Sequence, residues 1–220
     1  MKKVGVILAG CGVYDGSEIH EAVLTLLYLD RAGAEIHCFA PDKDQMHVVN
    51  HATGQPAEGE KRNTLVESAR IARGEIKPLS QLNLDNLDAI IFPGGFGAAK
   101  NLCSFAVDGD RCDIDPEVAA VIQDAAARKK VVGAICISPV VVARALRDSG
   151  KKPELTIGTD KATGDALAVL KAKPVSATVS EIVVDKENKI VTTPAYMLGS
   201  RITEVAAGIE NLVRKVVEMA

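Results

Sequence analysis

Tryptophan is absent from this 220-residue chain, and aromatic residues make up only 3% of it. A core of this size must then be built from Val, Ile, Leu and Ala, which are the bulk of its 47% hydrophobic residues. That composition suits parallel strands covered by helices on both faces. No run of 18 apolar residues is present to span a membrane. No basic block and no interleaving of aromatic with basic residues marks a nucleic-acid surface, and the formal net charge is −3. Neither nucleic acid nor membrane is therefore expected as a partner. The five cysteines, Cys11, Cys38, Cys103, Cys112 and Cys136, contain no CxxC spacing and are odd in number. This excludes a simple disulfide framework or zinc knuckle and favours reduced thiols, one of which can be reactive. The N-terminus passes from Met1-Lys2-Lys3 straight into the strand pattern Val4-Gly5-Val6-Ile7-Leu8. With no room for a removable leader, the expected compartment is the cytoplasm.

Short apolar runs alternate with amphipathic stretches from end to end, the signature of repeated βα units. Strands are predicted over 3–9, 34–40, 88–93, 130–136, 154–158, 180–185 and 189–193. Those at 88–93 and 130–136 are apolar on both faces and belong in mid-sheet. Asp185-Lys186-Glu187-Asn188 splits the last two into a hairpin at a sheet edge. Helices are predicted over about 17–32, 64–73, 97–104, 116–129, 138–148, 162–171 and 199–219, the first stopped by Gly33. Residues 41–80 are more polar and read as an excursion from the sheet. No linker or repeat divides the chain, so residues 1–220 are expected to form a single α/β domain.

Three segments converge on the carboxyl edge of that sheet, where open α/β folds place their ligands. Cys136 ends one central strand, and helix formers resume at Ser138-Pro139-Val140. A nucleophile can be presented on such a sharp turn, with a helix N-terminus lowering the thiol pKa. The same pattern also fits a small buried apolar cysteine. Pro93-Gly94-Gly95-Phe96-Gly97 follows the other central strand, and its glycines allow backbone N–H groups to approach an oxyanion or simply make a tight turn. It lacks the Gly-Lys-Ser/Thr ending of a phosphate loop. At the first strand's end, Asp15 and Glu18 have capping-box spacing, which gives Glu18 a structural role. Glu21 lies one turn further on, as either a solvated helix charge or a carboxyl within reach of the thiol.

Together these segments resemble the DJ-1/PfpI superfamily, related in fold to class I glutamine amidotransferase domains, and more narrowly its ElbB branch, named for isoprenoid biosynthesis and glyoxalase activity. The resemblance is carried by Cys11–Glu21, Asn50–Gly54, Arg73–Ile76, Pro93–Leu102, Ala134–Pro139, Thr156–Asp160 and Lys189–Leu198. It implies a flavodoxin-like three-layer sandwich and a homodimer. It also implies Cys136 as nucleophile, Glu21 as its hydrogen-bonded partner, and the N–H groups of Gly95 and Ile137 as oxyanion donors. Gly94, Cys11, Glu18 and His51 are further pocket candidates; no metal or cofactor is called for. Peptidases of this superfamily carry a histidine directly after the nucleophile, where this chain has Ile137. Glutaminases supply one well after it, whereas His20, His37, His47 and His51 all precede Cys136. Neither activity is expected. The leading expectation is cofactor-free conversion of a small 2-oxoaldehyde such as glyoxal to its 2-hydroxy acid, through a Cys136 hemithioacetal with Glu21 as acid and base. The alternatives are a redox or metabolite sensor using an exposed, oxidisable Cys136, and a non-enzymatic accessory protein in isoprenoid metabolism.

Overall fold

The computed structural model describes residues 1–220 as one domain around a seven-stranded sheet. The strands are β1 (Lys3–Ile7), β2 (Glu35–Ala40), β3 (Val49–Asn50), β4 (Gln55–Pro56), β5 (Ile76–Pro78), β6 (Ala89–Phe92), β7 (Val131–Ile135), β8 (Glu154–Leu155), β9 (Lys173–Pro174), β10 (Val183–Asp185) and β11 (Ile190–Thr193). The α-helices are α1 (Ile19–Arg31), α2 (Thr64–Ile71), α3 (Phe105–Asp108), α4 (Pro116–Ala127), α5 (Pro139–Leu146), α6 (Lys161–Val169) and α7 (Ile202–Met219). The main sheet runs β10-β11-β7-β6-β1-β2-β5, parallel except for the β10–β11 hairpin at one edge.

The three layers follow from side-chain alternation along the buried central strands. Ile90 and Phe92 face a core built with α4, α5 and α6. Ala89 and Ile91, one residue out of step, face a second core built with α1, α2 and α7. Aliphatic side chains dominate both layers, as the scarcity of aromatics requires.

Four expectations need correction. Residues 41–80 leave the main sheet for the separate β3–β4 ribbon and α2, but they return to it at β5, an unexpected strand that pairs with β2 as the opposite edge. Only three residues long and ending in Pro78, β5 is too short for a periodic signal. The strand expected at 154–158 is reduced to β8, which pairs with β9 in a separate two-stranded parallel ribbon. The helix expected at 97–104 is a π-helical turn, Ala98–Leu102, followed by the short α3. Asp15 does not cap α1. The cap is Glu18, whose Oε2 accepts from the Glu21 N–H at 2.7 Å, while Asp15 Oδ2 accepts from the Val49 N–H at 2.7 Å.

Candidate active site

Cys136 stands between β7 and α5 with φ of +60°, a conformation that costs a side-chain-bearing residue about 1–2 kcal/mol. Neighbouring segments hold the turn in place. The Cys136 N–H donates to the Thr193 carbonyl at 2.9 Å, and the fully buried Ser138 Oγ donates to the Pro93 carbonyl at 2.7 Å. The Glu21 carboxyl and the Gly95 and Ile137 amides are the groups that bear on the ionisation of the sulfur.

Glu21 is fully buried. Its Oε2 accepts from the Gly94 N–H at 3.0 Å, and its Oε1 from the Tyr196 N–H at 3.2 Å. The glycine at 94 is a steric necessity: a Cβ there would lie 2.5 Å from the Cys136 Cβ and 2.6 Å from Glu21 Oε2. Gly94→Ala is expected to cost about 1–3 kcal/mol; a wild-type Tm by circular dichroism would contradict this packing. Gly95, at φ +96°, lets the turn press against the start of α1, where the Glu18 N–H donates to the Gly94 carbonyl at 2.9 Å.

Burial dominates the electrostatics. It pushes the Glu21 carboxyl up to about 8, with the adjacent Glu18 adding to the rise and the Tyr196 and Gly94 amides and Cys136 opposing it. Burial also pushes the Cys136 thiol well above its ordinary value, as does the Glu21 charge, against the Gly95 and Ile137 amides. The expectation of an exposed, low-pKa thiol is thus corrected: Cys136 is only 7% exposed, and loss of solvation outweighs the helix N-terminus. Two adjacent anions in so dry a site are unfavourable, so the pair retains at least one proton through the neutral range.

The other candidates are placed as follows. Glu18 is buried as the α1 cap. Cys11 is half-buried beside Glu67, Arg70 and Asp15, and burial raises its thiol pKa. His51 packs on Tyr14 with ring centroids 5.1 Å apart. Its Nδ1 donates to the Val49 carbonyl at 3.0 Å and its Nε2 accepts from the Tyr14 N–H at 3.2 Å. It braces the first βα loop rather than serving the cysteine. No histidine hydrogen-bonds to Cys136 or Glu21: His20 meets the Tyr196 hydroxyl at 2.8 Å and His37 meets Glu35. Tyr196 and Asn101 were not anticipated. Asn101 ties the Ala9 and Asp15 carbonyls to the Met46 N–H through one buried amide. Tyr196 carries its signal in position, at the end of a parallel strand on the same sheet edge as Cys136. Five cavities of 220–510 Å³ are lined by other residues than Cys136 and Glu21.

A strained cysteine at a strand-to-helix turn, held by a glycine-rich turn and a glutamate on the first helix, defines an α/β protein of the class I glutamine amidotransferase-like type. No family model matches the chain. The ES1 protein homolog of Rattus norvegicus, named mitochondrial, is 48% identical over 99% of this chain and 84% of its own length. The human glutamine amidotransferase-like class 1 domain-containing protein 3, also named mitochondrial, is 48% identical over 99% of this chain and 83% of its own. The chain belongs to this ES1, glutamine amidotransferase-like family. A crystal structure of an Ehrlichia chaffeensis isoprenoid biosynthesis protein with an amidotransferase-like domain superposes with a TM-score of 0.92. It is 39% identical and covers 99% of this chain and 100% of its own. A DJ-1 superfamily protein from Salmonella typhimurium shares the fold at a TM-score of 0.59 and 23% identity, over 99% of this chain and 91% of its own. The mitochondrial names of the relatives overturn the cytoplasmic expectation. A strand pattern beginning at residue 3 carries no information about compartment.

Proposed function

We propose that the protein is a cofactor-free, glyoxalase-type enzyme that converts glyoxal, or another small 2-oxoaldehyde, to the 2-hydroxy acid. The observation that carries this reading is the fully buried Glu21 carboxyl packed beside Cys136 across Gly94, with its pKa raised to about 8. A group of that pKa can both take and return a proton near neutral pH. In the singly ionised pair, Glu21 takes the thiol proton as sulfur bonds to the aldehyde carbon, then gives it to the carbonyl oxygen, leaving a neutral hemithioacetal. Carboxylate once more, Glu21 removes the hydrogen from that carbon to form an enediol. Its return to the second carbon gives the glycolyl thioester, and water releases glycolate and the free thiol. The Gly95 and Ile137 amides, beside the turn that carries the sulfur, are the donors that would meet negative charge developing on the adjoining oxygen.

The 7% exposure of Cys136 favours a substrate of very few atoms. The same burial weighs against peroxide sensing at this residue, because selective oxidation needs an accessible thiolate. The absence of a histidine partner weighs against peptidase and glutaminase chemistry. Placement in the ElbB branch, and with it a homodimer, belongs to this proposal. Sedimentation should show twice the 23.2 kDa chain mass, and a monomer would set the dimer aside. No side chain here favours the accessory role in isoprenoid metabolism. Glycolate formation from glyoxal, compared between wild type and Cys136→Ala, tests the activity. Equal rates in the two proteins would discard it.

A further inference from the structure

Tyr196 grips the first helix at two successive residues, and the reaction proposed above uses only one of these contacts. It stands in a short 3-10 turn, Ala195–Met197, that follows β11 and leads towards α7. Its backbone N–H donates to Glu21 Oε1 at 3.2 Å. Its hydroxyl is hydrogen-bonded to His20 Nδ1 at 2.8 Å, with the ring centroids 5.9 Å apart. The two partners are 175 and 176 residues away in the chain, so both contacts are made by the fold. His20 is exposed and Tyr196 half-buried, whereas Glu21 is sealed. A side-chain pair at the surface is thus joined to the amide that reaches the buried carboxyl.

The turn that carries this amide is strained. Ala195 is fully buried at φ +45°, a conformation that costs an alanine about 1–2 kcal/mol. The N–H that meets Glu21 belongs to the Ala195–Tyr196 peptide, so any relaxation of Ala195 swings that donor away. Bonds within the segment close it on itself. The Met197 N–H donates to the Pro194 carbonyl at 2.9 Å, and the Leu198 and Gly199 N–H groups donate to the Ala195 carbonyl at 3.1 and 2.8 Å. None of these reaches α1. The hydroxyl–imidazole bond does, and it ends on the residue beside Glu21. The carboxyl's other amide donor, Gly94, is pinned by the close packing around it.

We propose that His20 and Tyr196 are a positioning pair: the bond between their side chains holds the Tyr196 N–H on Glu21 and so sets how the buried carboxyl is presented to Cys136. Neither side chain is catalytic in this role, because both act through a backbone amide. The pair rests on the reading of Cys136 and Glu21 given above, and adds to it a control of the carboxyl from the surface. The titratable groups facing Glu21 are Glu18 on the same helix, Cys136 at the end of β7 and Tyr196 beyond β11. Burial and the Glu18 charge raise the Glu21 pKa, and the Tyr196 N–H lowers it by bonding to the charged form. A loosened N–H therefore leaves a weaker acid. The carboxylate that takes the thiol proton then forms only at higher pH.

The test reads Glu21 directly and needs no turnover. The full-length protein is labelled with carbon-13 at the glutamate carboxyls, and the Glu21 resonance is identified by its loss in Glu21→Gln. Its chemical shift is then followed against pH, and the wild-type midpoint should lie near 8. Tyr196→Phe keeps the ring and removes the hydroxyl, and His20→Ala removes its partner. Each should raise the midpoint by about half a pH unit, a roughly threefold weaker acid. The kcat/KM profile for glyoxal should move with it. The double variant should match either single one, because both changes sever the same bond. A midpoint unchanged or lowered in Tyr196→Phe, or shifts that add in the double variant, would overturn the pair. His20→Ala, a change at an exposed side chain, decides the matter if Tyr196→Phe fails to fold. Absence of glycolate from the wild-type protein would discard the proposed reaction, and the titration would still decide the pair.

Discussion

Cys136→Ala is expected to lower glycolate formation from glyoxal by on the order of 10³-fold or more, with Tm changed by only a few degrees. The loss is large because the reaction has no other covalent anchor for the aldehyde, and removal of a nucleophile leaves only the surrounding dipoles. The fold should survive because the turn is held by backbone and Ser138 contacts, namely Cys136 N–H to Thr193 and Ser138 Oγ to Pro93, rather than by the sulfur. Alanine adopts φ +60° at much the same cost as cysteine. A wild-type rate in the folded variant would remove Cys136 from the chemistry, and a collapse in Tm would make its role structural.

Glu21→Gln separates catalysis from folding in a second way. Activity should fall about 10²–10⁴-fold, the range for loss of a positioned acid–base group. Stability should change with a sign that depends on pH. The carboxyl has an ordinary value of 4.5 in the unfolded chain and about 8 in the folded protein. Between these values the folded state holds a proton that the unfolded state releases. The group's stabilising contribution is therefore complete below about 4.5, declines as pH rises, and is lost above about 8. That interval corresponds to roughly 5 kcal/mol, or about 10–20 °C in Tm for a domain of this length. Glutamine does not ionise, but it offers one acceptor where the Gly94 and Tyr196 N–H groups need two, at a cost of about 1–3 kcal/mol. The variant should thus be less stable than wild type near pH 5 and gain on it steadily towards pH 9. A constant difference across that range would mean Glu21 is ionised throughout.

Much of this arrangement was legible before any coordinates. The alternation of apolar runs put β6 and β7 in mid-sheet, and the turn at 185–188 put the final hairpin at an edge. Three strand ends at one sheet edge pointed to Cys136, Glu21 and the Gly94–Gly95 turn. What could not be read was how deeply they are buried. The local pattern around Cys136 is the same for an exposed thiolate and a sealed thiol; only packing by distant segments distinguishes them. For Glu21 the decisive partner is the Tyr196 backbone N–H, 175 residues away in the chain. Edge strand β5 escaped notice because three residues cannot display a period. Asp15 was misassigned because its partner, the Val49 N–H, lies across a loop whose path is set by tertiary contacts.

Steady-state glycolate production from glyoxal between pH 6 and 9.5 bears most directly on the coupled sulfur and carboxyl. The reactive, singly ionised pair becomes more populated as Glu21 deprotonates, so kcat/KM should climb with pH through an apparent value near 8 before levelling. A profile already flat from pH 6, or glycolate no faster than with Cys136→Ala at any pH, would contradict a buried pair that works by passing one proton back and forth.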